Sequence, residues 1–333
     1  MYINKQNRIM WIDACRGIGI LLVVLGHCDF FFNKYIYGFH MPLFFMLTGY
    51  LWKKESSFVC AIKKYFLRYI IPYFILCTIN GVINCFIFAI NGNDLSRILY
   101  FFVGIIYSRG SSQWMPNCSP LWFLTALFVA LVVFYAINLV KSVVLKGCLL
   151  ILCPIISASL STLKVVKLAW NIDTALMAVL FILLGVILSK KQKQEVNIKN
   201  SIIVVLALLV IGVTAVYFNP IIMVNFDNNR YGNPVLMITG ASCLSMVVIK
   251  ISQIVTSQFK CIFLTFWGRH TIFVMGFDYL AGSIVNNIMY PFGFGNSFTL
   301  FIGKIIVLTI GIFIWTAIVK KIKNDNIRRV LQC

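Results

Sequence analysis

The stretch Trp11-Ile-Asp-Ala-Cys-Arg-Gly-Ile-Gly-Ile-Leu-Leu-Val-Val-Leu-Gly-His27 reads as a helix that lipid, rather than water, surrounds. From Ile18 to Gly26 it holds no polar side chain, yet Asp13, Arg16 and His27 bracket that run. At about 100° per residue, Arg16 and His27 come within about 20° of eclipsing one another, and Asp13 lies about 40° to the other side of His27. The three share one stripe. The rise from Arg16 to His27 is about 16 Å, half the hydrocarbon core. A cation therefore sits toward the cytoplasm and an imidazole toward the outer leaflet, both facing the bundle. Ionisable groups inside a bilayer are costly and mark function by default. The same spacing also suits a structural i,i+3 pair between Asp13 and Arg16 beside an interfacial His27.

The rest of the chain carries the same message. Of 333 residues, 61% are hydrophobic and only 11% are charged, against about 25% charged in soluble domains. Apolar runs near 20 residues long exclude barrel strands, which are about 10 residues and alternate, so the expected fold is an all-α polytopic membrane protein. Spans are expected at about 9–29, 36–52, 66–90, 120–140, 145–160, 172–189, 201–218, 232–252, 261–280 and 299–319, as a single membrane domain over 1–333. Lys5 and Arg8 precede the first run, but Asp29, Phe30 and Phe31 follow it in place of a small-x-small cleavage site, so an uncleaved first helix is expected.

Charge orients this layout. With both termini in the cytoplasm, the inner segments carry 20 of the 29 Lys and Arg, the outer ones six (Lys34, Arg97, Arg109, Lys164, Lys167 and Arg230), and Arg16, Arg269 and Lys304 fall in or beside spans. The net charge of +20 is thus the positive-inside pattern and calls for no nucleic-acid partner. Ile98–Tyr107, between Arg97 and Arg109, is too short to span and reads as an interfacial or re-entrant helix. The 11 cysteines show no CxxC and no zinc spacing with histidine, so no metal is expected.

Other residues can carry chemistry. His40 precedes Met41 and Pro42; it suits a pocket wall or a hydrogen-bonded histidine beside a kink. Asp173 and Asp278 stand near outer helix ends, as solvated end charges or as pocket walls. Lys53, Lys54, Lys63, Lys64 and Arg68 mark topology and can also hold an anion at the cytoplasmic mouth. Trp114, Trp122 and Trp170 suit an aromatic belt or a surface for sugar stacking.

These residues together resemble the membrane acyltransferase-3 family. Its first helix carries an Arg, ten residues and a His, which Arg16 and His27 match. Phe39-His-Met-Pro-Leu-Phe-Phe-Met-Leu-Thr-Gly-Tyr-Leu-Trp52 resembles its second-helix signature, and Pro120-Leu-Trp-Phe-Leu124 a third pattern. Ile172-Asp-Thr-Ala-Leu176 with Leu184-Gly185, and Tyr231-Gly-Asn233, look like its fucose-4-O-acetylase-like branch. The chain departs from the pattern at Asp278, where relatives often carry a His.

The resemblance implies transfer of an acyl group, most often acetyl, from cytoplasmic acetyl-CoA to a hydroxyl of a cell-surface glycan or its lipid-linked precursor, in a bacterial inner membrane. His27 is then the general base or a transient acyl carrier, with Asp13 and Arg16 ordering the first helix. Arg16, Lys63, Lys64 and Arg68 would meet coenzyme A phosphates. His40, Trp122, Asp173 and Tyr231 would belong to the acceptor side. The alternative is a secondary transporter or glycan flippase, which intramembrane His, Arg and Asp also suit; the polar residues crowd into the first two helices, however, and no repeated halves are visible.

Overall fold

The computed structural model describes residues 9–90, 96–108, 110–111, 114–164, 167–191, 198–293 and 295–322. Among them the chain is helical, and the only extended pairing is an isolated bridge between Asn225 and Arg230. The helices are α1 (Met10–Gly26), α2 (Asn33–Tyr50), α3 (Phe58–Tyr65), α4 (Ile71–Ile90), α5 (Ser96–Tyr107), α6 (Trp122–Leu139) and α7 (Val143–Thr162). There follow α8 (Ile172–Lys191), α9 (Ile198–Phe218), α10 (Pro234–Gln258), α11 (Ile262–Arg269), α12 (Thr271–Met289) and α13 (Ser297–Lys321). Seven helical stretches among the described residues are long and apolar enough to cross a bilayer: Phe58–Ile87, Ser119–Leu139, Val143–Thr162, Ala169–Lys190, Pro234–Gln258, Thr271–Phe292 and Ser297–Lys321. The protein is therefore a multi-pass helical membrane protein. Ile98–Tyr107 and Ile202–Phe218 are shorter apolar helices, and α1 and α2 run for 17 and 18 residues. The termini, whose side of the membrane the charge pattern addresses, lie outside the described residues.

Rows of apolar side chains stay exposed on α7 (Ile151, Leu152, Ile155), on α9 (Ile203, Leu206, Val210) and on α13 (Ile310, Phe313, Ile314). Spacings of three and four residues place each row on one face, and lipid tails are the partner that covers such faces without cost.

One expectation needs correction. The stretch 261–280 is not one helix: it breaks at His270, whose backbone leaves the helical region at φ −117° and ψ 24°. The His270 ring nitrogen Nδ1 lies 2.8 Å from the Phe266 carbonyl and closes α11 there. Apolarity alone reads through this break because the residues on both sides are equally apolar. The stretch 98–107 does form a helix, α5, with Phe101 and Ile105 buried and Leu99, Phe102 and Ile106 exposed.

The chain divides into two compact units. The first comprises residues 1–51, 183–224 and 232–271, and holds α1, α2, the second half of α8, α9, α10 and α11. Its tightest packing is between α1 and α11. A Cβ on Gly268 would stand 1.7 Å from the Asp13 carbonyl oxygen, and one on Gly17 would stand 2.0 Å from the Leu264 carbonyl oxygen. Only glycine allows backbones so close, the device that brings helices together where lipid removes the hydrophobic drive. The pairing of 17 with 264 and 13 with 268 makes the two helices antiparallel. On its far side α1 meets α2, with Gly19 against Phe44 and Gly26 against Tyr37.

The second unit comprises residues 52–182, 225–231 and 272–333. In it α3 runs into α4 through a π turn, Phe66–Ile70. Two clamps fix its middle. Asn80 on α4 donates to the Gly276 carbonyl of α12 at 2.9 Å, and Lys304 on α13 meets Asp278 on α12 at 2.8 Å with both side chains almost fully buried.

Gly268→Ala and Gly17→Ala should each separate α1 from α11 at a cost of about 1–3 kcal/mol. Thermal unfolding of the purified protein in detergent should show a clear fall in Tm for both. An unchanged Tm would mean that this contact does not set the position of α1.

Candidate active site

In the first unit the geometry builds outward from α1. α11 touches α1 through Asp13 and Gly17, whereas α2 touches it through Gly19 and Gly26. At about 100° per residue, Arg16 and His27 fall about midway between those two contact faces. Both are half-buried. The stripe read from sequence is thus flanked by a helix on each side, and the tight α1–α11 contact holds it in place.

Asp13 has a partner that the sequence did not offer. Its Oδ2 accepts from Nε of Arg269, the last residue of α11, at 3.0 Å. Arg269 is 46% exposed and Asp13 10%, so a half-open cation neutralises a nearly buried carboxylate. The signal was available only as two charges at helix ends 256 positions apart.

At the other end of α1, His27 forms the C-cap. Its ring stands edge-on to Tyr37 at 6.3 Å between centroids, and Tyr37 stands edge-on to His40 at 5.0 Å. His40 is 5% exposed, and its Nδ1 lies 2.8 Å from the Ile36 carbonyl one turn back. A carbonyl only accepts, so Nδ1 carries a proton, and Nε2 is the nitrogen that can serve as base or acceptor when the ring is neutral. His27, Tyr37 and His40 form one aromatic row across α1 and α2.

The second unit holds the other predicted residues, at two opposite ends. Ser57 caps α3 by accepting from the Cys60 amide at 3.2 Å, and Lys63 and Lys64 stand in its last turn. Lys64 is paired with Glu55. Arg68 sits in the π turn, a feature frequent at functional sites, with its guanidinium 5.7 Å from the Tyr69 ring centroid. The Glu55 carbonyl accepts from the Tyr135 hydroxyl at 2.9 Å, which ties this basic group to the C-terminal end of α6. Trp122 starts α6, 13 residues away and so about 20 Å along the helix.

Around Trp122 the structure gathers Asp173 and Tyr231. The Asn171 side-chain amide donates to the Trp122 carbonyl at 3.3 Å and to Thr125 Oγ1 at 3.1 Å. Ser157 donates to the Asp173 carbonyl at 2.6 Å and lies 3.1 Å from the Tyr231 hydroxyl. Tyr231 is fully buried, and burial pushes its phenol up from the ordinary value, so it stays neutral and acts as a pin between α7 and the 225–231 segment. Asp173 is 2% exposed, and its Oδ1 has no hydrogen-bond partner among the described residues. Lys167 pairs with Asp227 close by, and a Cβ at Gly110 would meet both Asp227 and Trp122 within 3 Å. Ser157, Asn171 and this ion pair were missed by the sequence reading. Single polar residues at the ends of apolar runs look like boundary residues until the fold joins them.

Asp278 and Lys304, 26 positions apart, were also legible only as isolated charges within or beside spans. Among the described residues no group of His, Cys, Asp and Glu is arranged to hold a metal ion.

Arg16 and His27 on one flanked face of α1 with the ring row at His27, and the basic turn of α3 in the second unit, define the class: a multi-pass helical membrane protein that sets polar side chains among apolar helices. The chain belongs to the acyltransferase family, whose domain matches residues 9–320. It is also similar to the nodulation protein NolL of Sinorhizobium fredii, with 28% identity over 158 residues, 43% of this chain. The match spans 41% of that protein's length. No solved structure matches the chain.

Removing one partner of the Lys304–Asp278 pair strands a buried charge, at a cost of about 3–5 kcal/mol. Lys304→Met should therefore lower Tm sharply, and Lys304→Met with Asp278→Leu should recover much of the loss. Equal Tm for the single variant and the parent would show that the pair carries no stability.

Proposed function

We propose that this acyltransferase moves an acetyl group from cytoplasmic acetyl-CoA to a hydroxyl of a cell-surface glycan or its lipid-linked precursor. The observation that carries the reading is the placement of Arg16 and His27 on one face of α1, between the α11 and α2 contacts, in a chain whose family match runs from residue 9 to residue 320. Ten spans, both termini in the cytoplasm and a bacterial inner membrane complete the proposal, and the excess of inner Lys and Arg supports that orientation.

The residues fit the roles. The donor supplies an acyl group activated as a thioester. A sugar hydroxyl is a weak nucleophile, and an imidazole within hydrogen-bond reach accepts its proton as the oxygen attacks. As the new C–O bond forms the C–S bond breaks, and the proton held on His27 passes to the departing thiolate. If His27 carries the acyl group instead, the acyl rests on its ring nitrogen between two such steps. Asp13, fixed by Arg269, sets the angle of α1 and with it the aim of Arg16. Arg16, Lys63, Lys64 and Arg68 are cations suited to phosphates. His40, with Nε2 presented in its neutral form, and Trp122, Asp173 and Tyr231 serve the acceptor side. Trp122 offers a ring for a sugar face, Asp173 a carboxylate for hydroxyls, and Tyr231 keeps the surrounding backbone in place. The acceptor and membrane lipids are the partners of this reading; no nucleic acid enters it. The family match does not favour the transporter alternative.

The test is the O-acetyl signal of the surface glycan by proton NMR in the intact strain, a deletion strain and one carrying His27→Ala at equal membrane abundance. Loss in both altered strains, by about 100-fold or more for His27→Ala, is the expected result. An unchanged signal in the deletion strain would remove glycan acetylation as the function.

A further inference from the structure

The first unit holds polar groups that the proposed chemistry leaves unused. Gln253, near the C-terminal end of α10, is 4% exposed, and neither Oε1 nor Nε2 of its carboxamide has a hydrogen-bond partner among the described residues. Trp267 on α11 is fully buried, and its indole Nε1 also lacks a partner among them. Orphaned buried groups forfeit their hydration without return. Three such atoms on two side chains call for an explanation in what they bind.

They share one level of the unit. Gly268 against Asp13 and Gly17 against Leu264 set the register of α11 on α1 and place Trp267 beside residues 13–14. Cys15 of α1 lies beside Ser252, the neighbour of Gln253, which puts Gln253 at the level of residues 14–15. Arg16 and the Asp13–Arg269 ion pair stand at the same level, all within about one helical turn, or about 5 Å along the axis. On α10, Gln253 projects about 180° from Leu244, which packs toward Gly212 of α9, so it faces away from α9.

We propose that Gln253 and Trp267 bind the amide-bearing arm of the thioester donor. A carboxamide offers a donor and an acceptor side by side, the same pair that a secondary amide presents in reverse. An indole N–H adds a donor for a further carbonyl. The pantetheine arm of coenzyme A is narrow, uncharged and carries two such amides ahead of its sulfur, so it suits an apolar bundle in a way that the nucleotide end does not. The cations at that level then meet charge, and the uncharged pair meets the arm. The inference rests on the thioester-donor reading above.

The experiment measures affinity by calorimetry for the purified full-length protein in lipid nanodiscs. The probes are coenzyme A and adenosine 3′,5′-bisphosphate, which keeps phosphates but lacks the arm. Gln253→Leu should weaken coenzyme A binding about tenfold and leave the bisphosphate unchanged. Its ligand-free Tm should hold or rise, because the variant removes two unpartnered polar atoms from the interior. Trp267→Phe should weaken coenzyme A about threefold with the same selectivity. Equal coenzyme A affinity for Gln253→Leu and the parent would overturn the proposal and assign these atoms to buried water. Parallel losses for both probes, with a lower Tm, would overturn it in favour of a structural role. If the parent binds no coenzyme A, the donor reading fails and takes the proposal with it. That result is distinguishable, because it appears without any substitution.

Discussion

Lipid offers no hydrogen bonds, and this constraint shapes where the charged and polar side chains of the apolar helices sit. A charge in such a solvent must find its counterpart within the protein or stay near an interface. Lys304 and Asp278 solve the problem by pairing at 2.8 Å between α12 and α13. Asn80 solves it by donating to the Gly276 carbonyl. Asp13 solves it with Arg269, a residue from the far end of the sequence. The aliphatic rows on α7, α9 and α13 are the same rule in its apolar form, since they need no partner and face outward.

Against that background the α1–α11 contact sets up the first unit. Glycines on both helices let the backbones touch, which brings the Arg269 guanidinium to Asp13 and fixes the rotation of α1. Rotation is what matters chemically: a turn of about 100° would carry Arg16 and His27 from their flanked face into α2 or α11. The row His27–Tyr37–His40 then depends on α2 meeting α1 at Gly26, where the absence of a side chain lets Tyr37 come close. Backbone approach, ion pairing and ring packing thus act in series on one imidazole.

The candidate site was partly legible in the sequence. Asp13, Arg16 and His27 stood out because they interrupt or bound an otherwise apolar helix, and helical periodicity alone put them on one stripe. Trp122 and Asp173 stood out near span ends, Tyr231 came from motif resemblance, and the fold joins them through Asn171 and Ser157. Arg269, Lys167 with Asp227, and Gln253 were not legible. Each is a single polar residue in or beside an apolar run, with a partner or neighbour far away in sequence, and periodicity along one helix carries no information about a second helix.

By itself the sequence determined that the protein is helical, that lipid surrounds it and which face of the first helix is polar. Those properties follow from composition and from a period of 3.6 residues, both local. Tertiary structure alone decided that the ninth apolar run breaks at His270, that Asp13 belongs to Arg269, and that the basic turn of α3 and the Trp122 cluster stand at opposite ends of one unit. These depend on which helices touch and in what register, and contacts between positions as much as 256 residues apart leave no periodic trace along the chain.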